Sequence, residues 1–131
     1  MWSVAIEVHT SAREEILIVT DQIAAALRGA PASEGLLHLF IPHTTCAITI
    51  NENADPAVLT DLIKAYRAVI PTVRFEHAEG NSDAHFLSSL IGVSLIVPYA
   101  GGRMALGRWQ GIYFVELDGP RKRKLEIRLV S

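Results

Sequence analysis

The chain of 131 residues is half apolar and one-fifth charged, a composition typical of one folded domain, and this excludes a disordered chain. Twelve Lys and Arg against 14 Asp and Glu give a net charge of −2, so no overall positive field attracts nucleic acid or an anionic membrane. The single Cys46 cannot form an internal disulfide, and the first residues lack the pattern of a signal peptide. No apolar run approaches the ~20 residues of a membrane helix. We therefore expect one cytoplasmic domain over residues 1–131, without nucleic-acid or membrane partners.

The first half of the chain predicts short strands and one short helix. Apolar and polar residues alternate in the first segment, as in a half-buried strand, and β-branched residues are frequent in the last. Thr20 and Asp21 offer capping oxygens before the helix, and Gly29 can end it. The predicted elements are strands at Val4–Thr10 and Ile16–Val19, a helix at Gln22–Arg28, and strands at Leu36–Ile41 and Cys46–Ile50.

Two further helices are predicted in the middle of the chain. Asp55 suits the N-cap of the first and Pro56 its first turn, and apolar residues then recur at i, i+3, i+4 and i+7 to give one buried face. The second helix covers Asp83–Leu90, with Ser82 as its cap and Gly92 after its end.

The remainder of the chain predicts only strands. Gly101-Gly102 and Asp118-Gly119-Pro120 are good turn formers, and the connections are too short for parallel crossovers. The predicted strands are Ser94–Val97, Arg103–Leu106, Ile112–Leu117 and Lys124–Val130. The sequence therefore predicts an α+β fold with mostly antiparallel sheets and two or three helices.

Three histidines stand near the ends of predicted elements, where binding sites commonly form. His43 follows a strand, His77 lies in a loop beside two glutamates, and His85 is in the first turn of a helix. Imidazole serves as a metal ligand and as an acid or base near neutral pH, but the spacing matches no metal motif, so solvated or hydrogen-bonded roles stay open. Cys46 lies three residues beyond His43, which should point the two side chains to opposite faces and disfavours a thiol nucleophile.

Three polar segments are further candidates for binding. Asn51-Glu52 follows a strand and could hold a metal or a substrate hydroxyl, or belong simply to a capped turn. Gly80-Asn81-Ser82 precedes a helix whose free N–H groups attract phosphate, although Asp83 would compete for that potential. Trp109-Gln110 stands between two glycines. Such a turn can bring the backbone close to a ligand or a neighbouring subunit, or it can form a bulged hairpin with the indole in the core.

The order of these motifs is more specific than any one of them. From about Val4 to Val130 the chain resembles the YjbQ family, also named the secondary thiamine-phosphate synthase enzyme family. The resemblance rests on five segments in order, Pro42–Thr45, Ile50–Asp55, His77–His85, Leu106–Gln110 and Glu116–Arg121.

The resemblance implies a single domain whose sheets pack as a sandwich or barrel, a compact homotrimer, and weak formation of thiamine phosphate from a pyrimidine pyrophosphate and thiazole phosphate. The ligand is then a phosphorylated small molecule, and the catalytic candidates are His43, Asp83 and His85. The substrate-binding candidates are Thr44, Thr45, Asn51, Glu52, Gly80, Asn81, Ser82, Trp109 and Gln110. From the residues themselves, we expect the histidines to share a pocket that binds either a phosphate-like anion or a divalent metal, Mg or Zn, for which His43, His77 and His85 are the candidate ligands. A metal-dependent hydrolase and a non-catalytic trimeric binding protein are the alternatives.

Overall fold

The structure, a computed structural model, describes residues 1–131 and contains eight strands, three α-helices and one short 3-10 turn after the first helix. None of the helices is long and apolar enough to cross a membrane. In chain order the elements are β1 Trp2–His9, β2 Glu15–Ile18, α1 Thr20–Ala26, β3 Gly35–Phe40, β4 Cys46–Glu52, α2 Pro56–Ala68, α3 Ser82–Ile91, β5 Ser94–Ala100, β6 Arg103–Met104, β7 Gln110–Glu116 and β8 Lys122–Val130.

The strands form two antiparallel sheets. The larger has the order β1-β8-β3-β5-β6 and the smaller the order β2-β7-β4. One core cluster joins the two, with Leu37, Leu39 and Ile127 from the larger sheet and Ile48 and Phe114 from the smaller, all fully buried. The predicted α+β class with antiparallel pairing and three helices is confirmed.

The smaller sheet is covered on both of its faces. Tyr113 and Val115 of β7 point away from the main core into a second cluster, where Leu87 of α3 and half-buried residues of α2 pack against them. Every residue of β7 after Gln110 is therefore buried, without the alternation of a strand that is solvated on one face. In contrast, α2 has no fully buried residue and lies at the outside of this layer.

The helix signals are confirmed in part. Asp55 is the N-cap of α2, and its Oδ1 accepts a hydrogen bond from the N–H of Ala57 at 2.9 Å. The prediction that Ser82 caps α3 is wrong, because Asn81 holds that position. The side chain of Asn81 makes no capping bond; its amide donates instead to Oδ2 of Asp118 at 2.9 Å.

Other boundaries differ from the predictions by a few residues. The first helix begins at Thr20, whose Oγ1 accepts from the N–H of Ile112 at 2.9 Å instead of capping the helix. The strand predicted at Arg103–Leu106 ends at Met104. Beyond it the N–H of Ala105 makes one bond to the carbonyl of Pro98, and the chain leaves the sheet edge.

Candidate functional site

One polar depression collects side chains that are far apart in the sequence. They come from the β3–β4 connection, from the segment before α3 and its first turn, and from the start of β8. We call this cavity of about 440 Å³ the histidine–arginine pocket, and it contains no hydrophobic side chain from the core. Its lining residues are Pro42, His43, Thr44, Thr45, His77, Glu79, Asn81, His85, Arg121 and Arg123.

The ring of His43 is held by the backbone of β8. Strand β3 ends at Phe40, opposite Glu126, and beyond that end the N–H of Lys124 donates to Nε2 of His43 at 2.9 Å. Nε2 accepts this bond only when it is unprotonated, so the neutral ring carries its proton on Nδ1. Burial first, and the charge of Arg123 second, lower the pKa of His43 below 6.5. His43 is therefore a neutral ring with one N–H to donate.

A buried ion pair supports the wall of the pocket. Glu116 is fully buried and Arg123 is 4% exposed. Arg123 donates through Nε and Nη2 to the two carboxylate oxygens of Glu116, and through Nη2 to the carbonyl and hydroxyl oxygens of Thr45. Burial alone would raise the pKa of Glu116, but hydrogen bonds from Arg123, from Thr10 and from the backbone lower it. Glu116 is thus ionised and fixes the guanidinium in one orientation.

A second carboxylate connects α3 to the turn between β7 and β8. Asp118 accepts from the amide of Asn81 at 2.9 Å and from Nη2 of Arg121 at 3.0 Å, while Nε of Arg121 donates to the Asp118 carbonyl at 2.8 Å. Two residues of the pocket lining, Asn81 and Arg121, are therefore held by the same aspartate.

The remaining two imidazoles contact each other. The rings of His77 and His85 meet edge to face, with centroids 5.3 Å apart and an interplanar angle of 90°. His85 projects from the first turn of α3, while His77 belongs to the wholly exposed segment 71–80. Because no side-chain hydrogen bond holds either ring, both can reorient towards a ligand, in contrast to His43.

The three histidines do not form a metal centre in this geometry. No group of three or more His, Cys, Asp or Glu side chains is placed to hold one ion. In addition, Nε2 of His43 accepts the N–H of Lys124 and its Nδ1 carries the proton, which leaves no lone pair for a metal. The expected ligand set of His43, His77 and His85 is therefore not assembled, and the donors of the pocket suit an anion better than a cation.

Asp83, predicted as catalytic, lies outside the pocket lining. It forms an ion pair with Arg13 at 3.2 Å, and its Oδ1 accepts from the N–H of Ala84. Two residues apart on a helix, Asp83 and His85 point to different sides, which the linear motif does not reveal. Gly80 and Ser82 also lie outside the lining, which takes only Asn81 from this segment.

The other substrate-binding candidates belong to a second cavity. Asn51, Glu52, Trp109 and Gln110 meet where the end of β4 pairs with the start of β7. Trp109 is 57% exposed, so the interpretation that its indole packs in the core is wrong. We call this cavity of about 640 Å³ the tryptophan pocket; it shares no residue with the histidine–arginine pocket, and its lining is Ile50, Asn51, Glu52, Ala54, Asp55, Trp109 and Gln110.

The sequence favours a solvated turn at Arg121–Lys124, in which an arginine could also hold a phosphate, but it does not single out Arg121 and Arg123, the two arginines of the site. A signal was present for one of them. Arg123 is in phase with Leu125, Ile127 and Leu129, the residues of β8 that face the core. A charged residue at a core-facing position needs a buried partner, and Glu116 is that partner.

Lowering the pH should destabilise the fold through His43. In the unfolded chain this ring takes a proton near its ordinary pKa of 6.5, whereas in the folded protein its pKa is lower. Between those two values the unfolded state binds more protons, so this contribution to stability is present at higher pH and is lost as the pH falls below 6.5. Urea denaturation at about pH 7.5 and about pH 5.5 measures it. We expect a smaller pH effect in His43→Gln, while His9→Gln, at an exposed histidine, should behave like the parent protein; equal pH effects in all three would contradict the assignment.

Replacing Cys46 by Ala should leave any activity nearly intact. Cys46 is fully buried, and burial raises the pKa of its thiol to about 12, so no thiolate is available as a nucleophile. The small truncation should lower the free energy of unfolding by ~1 kcal/mol. Denaturation and turnover measurements on the variant check both statements. A loss of activity of about a hundredfold in a folded variant would restore the thiol mechanism.

Comparison with known proteins identifies related chains over nearly the full length. A family model described as UPF0047 protein YjbQ-like matches residues 4–131. A UPF0047 protein of Methanocaldococcus jannaschii is 43% identical over 95% of this chain and 91% of its own, and the UPF0047 protein YugU of Bacillus subtilis is 41% identical over 96% and 97%. The solved structure of a hypothetical protein from Aeropyrum pernix has a TM-score of 0.93 at 35% identity, covering 100% of this chain and 99% of its own. An uncharacterised YjbQ/UPF0047 protein of Clostridium acetobutylicum has a TM-score of 0.91 at 41% identity, covering 97% and 99%.

Proposed function

The chain belongs to the YjbQ-like UPF0047 family, and from that premise we propose that it binds a phosphorylated small molecule in the histidine–arginine pocket. The observation that carries the proposal is the convergence of three imidazoles and two guanidinium groups on one polar cavity. Guanidinium and imidazole N–H groups are strong, directional donors to phosphate oxygens. Glu79 is the one carboxylate in the lining, so basic groups outnumber acidic ones.

Each wall of the pocket has a defined part in this proposal. His43 donates through Nδ1, because Nε2 is occupied by the backbone of β8. The hydrogen bonds of Arg123 use Nε and Nη2, which leaves Nη1 for the ligand. Asn81 is the N-cap of α3, whose first N–H groups add positive potential. His77 and His85 also line the pocket, and no side-chain hydrogen bond holds either ring.

The reaction we propose for this site is a weak thiamine-phosphate synthase activity, which joins a pyrimidine pyrophosphate to thiazole phosphate. The pocket would contribute by holding the phosphate groups and stabilising the negative charge of the departing pyrophosphate. This proposal assigns that charge stabilisation to His and Arg donors and needs no metal ligand from the chain. The alternative of a metal-dependent hydrolase has no support from the arrangement of the three histidines.

Binding of inorganic phosphate, followed by isothermal titration calorimetry, tests the site directly. We expect His43→Ala to weaken binding by about 10- to 100-fold, because a hydrogen bond to a charged group is worth roughly 1.5–3 kcal/mol. His9→Ala is the matched control, since His9 is exposed on β1 and outside the pocket. Absence of phosphate binding by the folded parent protein would exclude the proposal.

Turnover of the two thiamine precursors is measured in parallel. Product formation that falls in His43→Ala supports the enzyme. Phosphate binding without turnover supports the alternative of a non-catalytic binding protein.

We propose a cytoplasmic homotrimer as the working form. The outer face of the larger sheet supports association, because Leu36 pairs with Val130 across the strands and both are 50% exposed, with Ile96 nearby at 60%. Exposed apolar residues clustered on one face are typical of an interface. Size exclusion with light scattering measures the mass, and a monomer at micromolar concentration would contradict the trimer.

A further inference from the structure

The tryptophan pocket has the size of a small-molecule site. Its volume of about 640 Å³ lies within the range of ligand cavities. The pairing of Asn51 with Gly111 and of Glu52 with Gln110 fixes its two sides relative to each other. One wall is the indole of Trp109, a large aromatic ring left more than half exposed, and Ile50 adds apolar surface.

The side chains that line this pocket carry a net negative charge. Glu52 and Asp55 contribute two carboxylates, no Lys, Arg or His lines the cavity, and neither carboxylate takes part in an ion pair. One oxygen of each is used locally: Oδ1 of Asp55 caps α2, and Oε2 of Glu52 accepts from the N–H of Asp55 at 3.3 Å. The second oxygen of each carboxylate remains available to a ligand.

The indole is also suited to a positive charge. The guanidinium of Arg108 lies over the Trp109 ring, 4.9 Å from its centroid, so the ring already attracts a cation of its own chain. Trp109 lines the pocket, whereas Arg108 is not among its lining residues.

Two amide groups define a further requirement. Oδ1 of Asn51 accepts from the N–H of Glu52, and Oε1 of Gln110 accepts from the N–H of Gly107, both at 2.8 Å. With their oxygens engaged, the NH₂ group of each side chain remains as a hydrogen-bond donor. A ligand that satisfies all these groups carries a positive charge, an apolar body and a hydrogen-bond acceptor.

We propose that the tryptophan pocket is a separate binding site for a small organic cation that carries an acceptor group, such as a quaternary ammonium alcohol. This inference goes beyond the phosphate site, because the two cavities share no lining residue. The cationic head lies against the indole and the carboxylates of Glu52 and Asp55, and the hydroxyl oxygen accepts from Asn51 and Gln110.

Choline and its uncharged analogue 3,3-dimethyl-1-butanol, which have nearly the same shape, provide a matched pair of probes. The chain has two tryptophans, so the Trp2→Phe variant reports fluorescence from Trp109 alone. We expect choline to change this fluorescence saturably at constant ionic strength, with an affinity about tenfold above that of the alcohol. Glu52→Gln should weaken choline binding about fivefold, whereas Glu76→Gln, at an exposed carboxylate outside the pocket, should not.

Three results would overturn the proposal. Equal responses to choline and the alcohol mean that the pocket recognises apolar shape alone. An affinity unchanged in Glu52→Gln removes the role of the charge. Trp109 fluorescence that changes with protein concentration but not with choline assigns the pocket to a contact between copies of the chain. Calorimetric titration of the same Trp2→Phe protein with phosphate measures binding at the histidine–arginine pocket. The two measurements therefore distinguish failure of one site from failure of the other.

Discussion

Replacing Glu116 by Ala should lower the free energy of unfolding by about 3–5 kcal/mol, because it leaves the buried guanidinium of Arg123 without its partner. The exposed fractions are 0% for Glu116 and 4% for Arg123, so water cannot replace the lost carboxylate. The substitution also removes the acceptor for the hydroxyl of Thr10, which donates to Oε1 of Glu116 at 2.7 Å. Denaturant unfolding at neutral pH measures the loss.

A double replacement separates the lost ion pair from the lost packing. Glu116→Leu combined with Arg123→Met removes both charges and keeps apolar volume, and we expect it to be closer to the parent protein in stability than Glu116→Ala. The double variant should nevertheless bind phosphate more weakly, because Arg123 lines the pocket. A loss below about 1 kcal/mol in Glu116→Ala would show that the pair does not hold this region together.

Replacing Gly119 by Ala should disturb both the fold and the phosphate site. A Cβ atom at this position would lie 2.5 Å from the carbonyl oxygen of Ala12, 2.7 Å from Cγ of Glu116 and 2.8 Å from Oγ1 of Thr10. The nearest of these is a backbone atom and cannot swing aside, so the turn before β8 must move, at an expected loss of about 1–3 kcal/mol or more. Phosphate affinity should fall as well, because Arg121 of the same turn lines the pocket.

Gly29→Ala is the matched control for this substitution. Its added Cβ would meet nothing closer than the Trp2 ring at 3.9 Å, which is ordinary contact. Unfolding and phosphate titration of both variants give the comparison. Similar stabilities for Gly29→Ala and Gly119→Ala would mean that the turn accommodates the extra atom.

The elements of this fold were predictable where the signal is local. The alternation in β8 and the Asp55-Pro56 pair at the start of α2 depend on residues next to each other, and both are confirmed. The boundaries were less predictable where a distant residue takes part. Thr20 begins α1, but its hydroxyl oxygen accepts a hydrogen bond from the N–H of Ile112, 92 positions away.

The site was predictable only in part, for the same physical reason. His43 and His85 stand at the ends of predicted elements and His77 in the loop between them, and all three line one cavity. The separation of Trp109 and Gln110 into another cavity depends on the pairing of β4 with β7, which no local motif encodes. Asp83 lies outside the histidine–arginine pocket and forms an ion pair with Arg13, 70 positions away, which no local motif encodes either.

Because the imidazole of His43 accepts the N–H of Lys124, the backbone amide of Lys124 in β8 is sensitive to the protonation of His43. In a continuous sheet, the N–H of Lys124 would donate to a backbone carbonyl of the neighbouring strand, and a carbonyl oxygen accepts hydrogen bonds at every ordinary pH. Here its acceptor is Nε2 of His43, which can take a proton. Protonation of that nitrogen releases the amide, so hydrogen exchange at Lys124 follows the charge of a ring in the pocket. An anion that changes the protonation of His43 should therefore change the hydrogen exchange of the Lys124 amide in the larger sheet. NMR can measure this exchange without any label on the ligand.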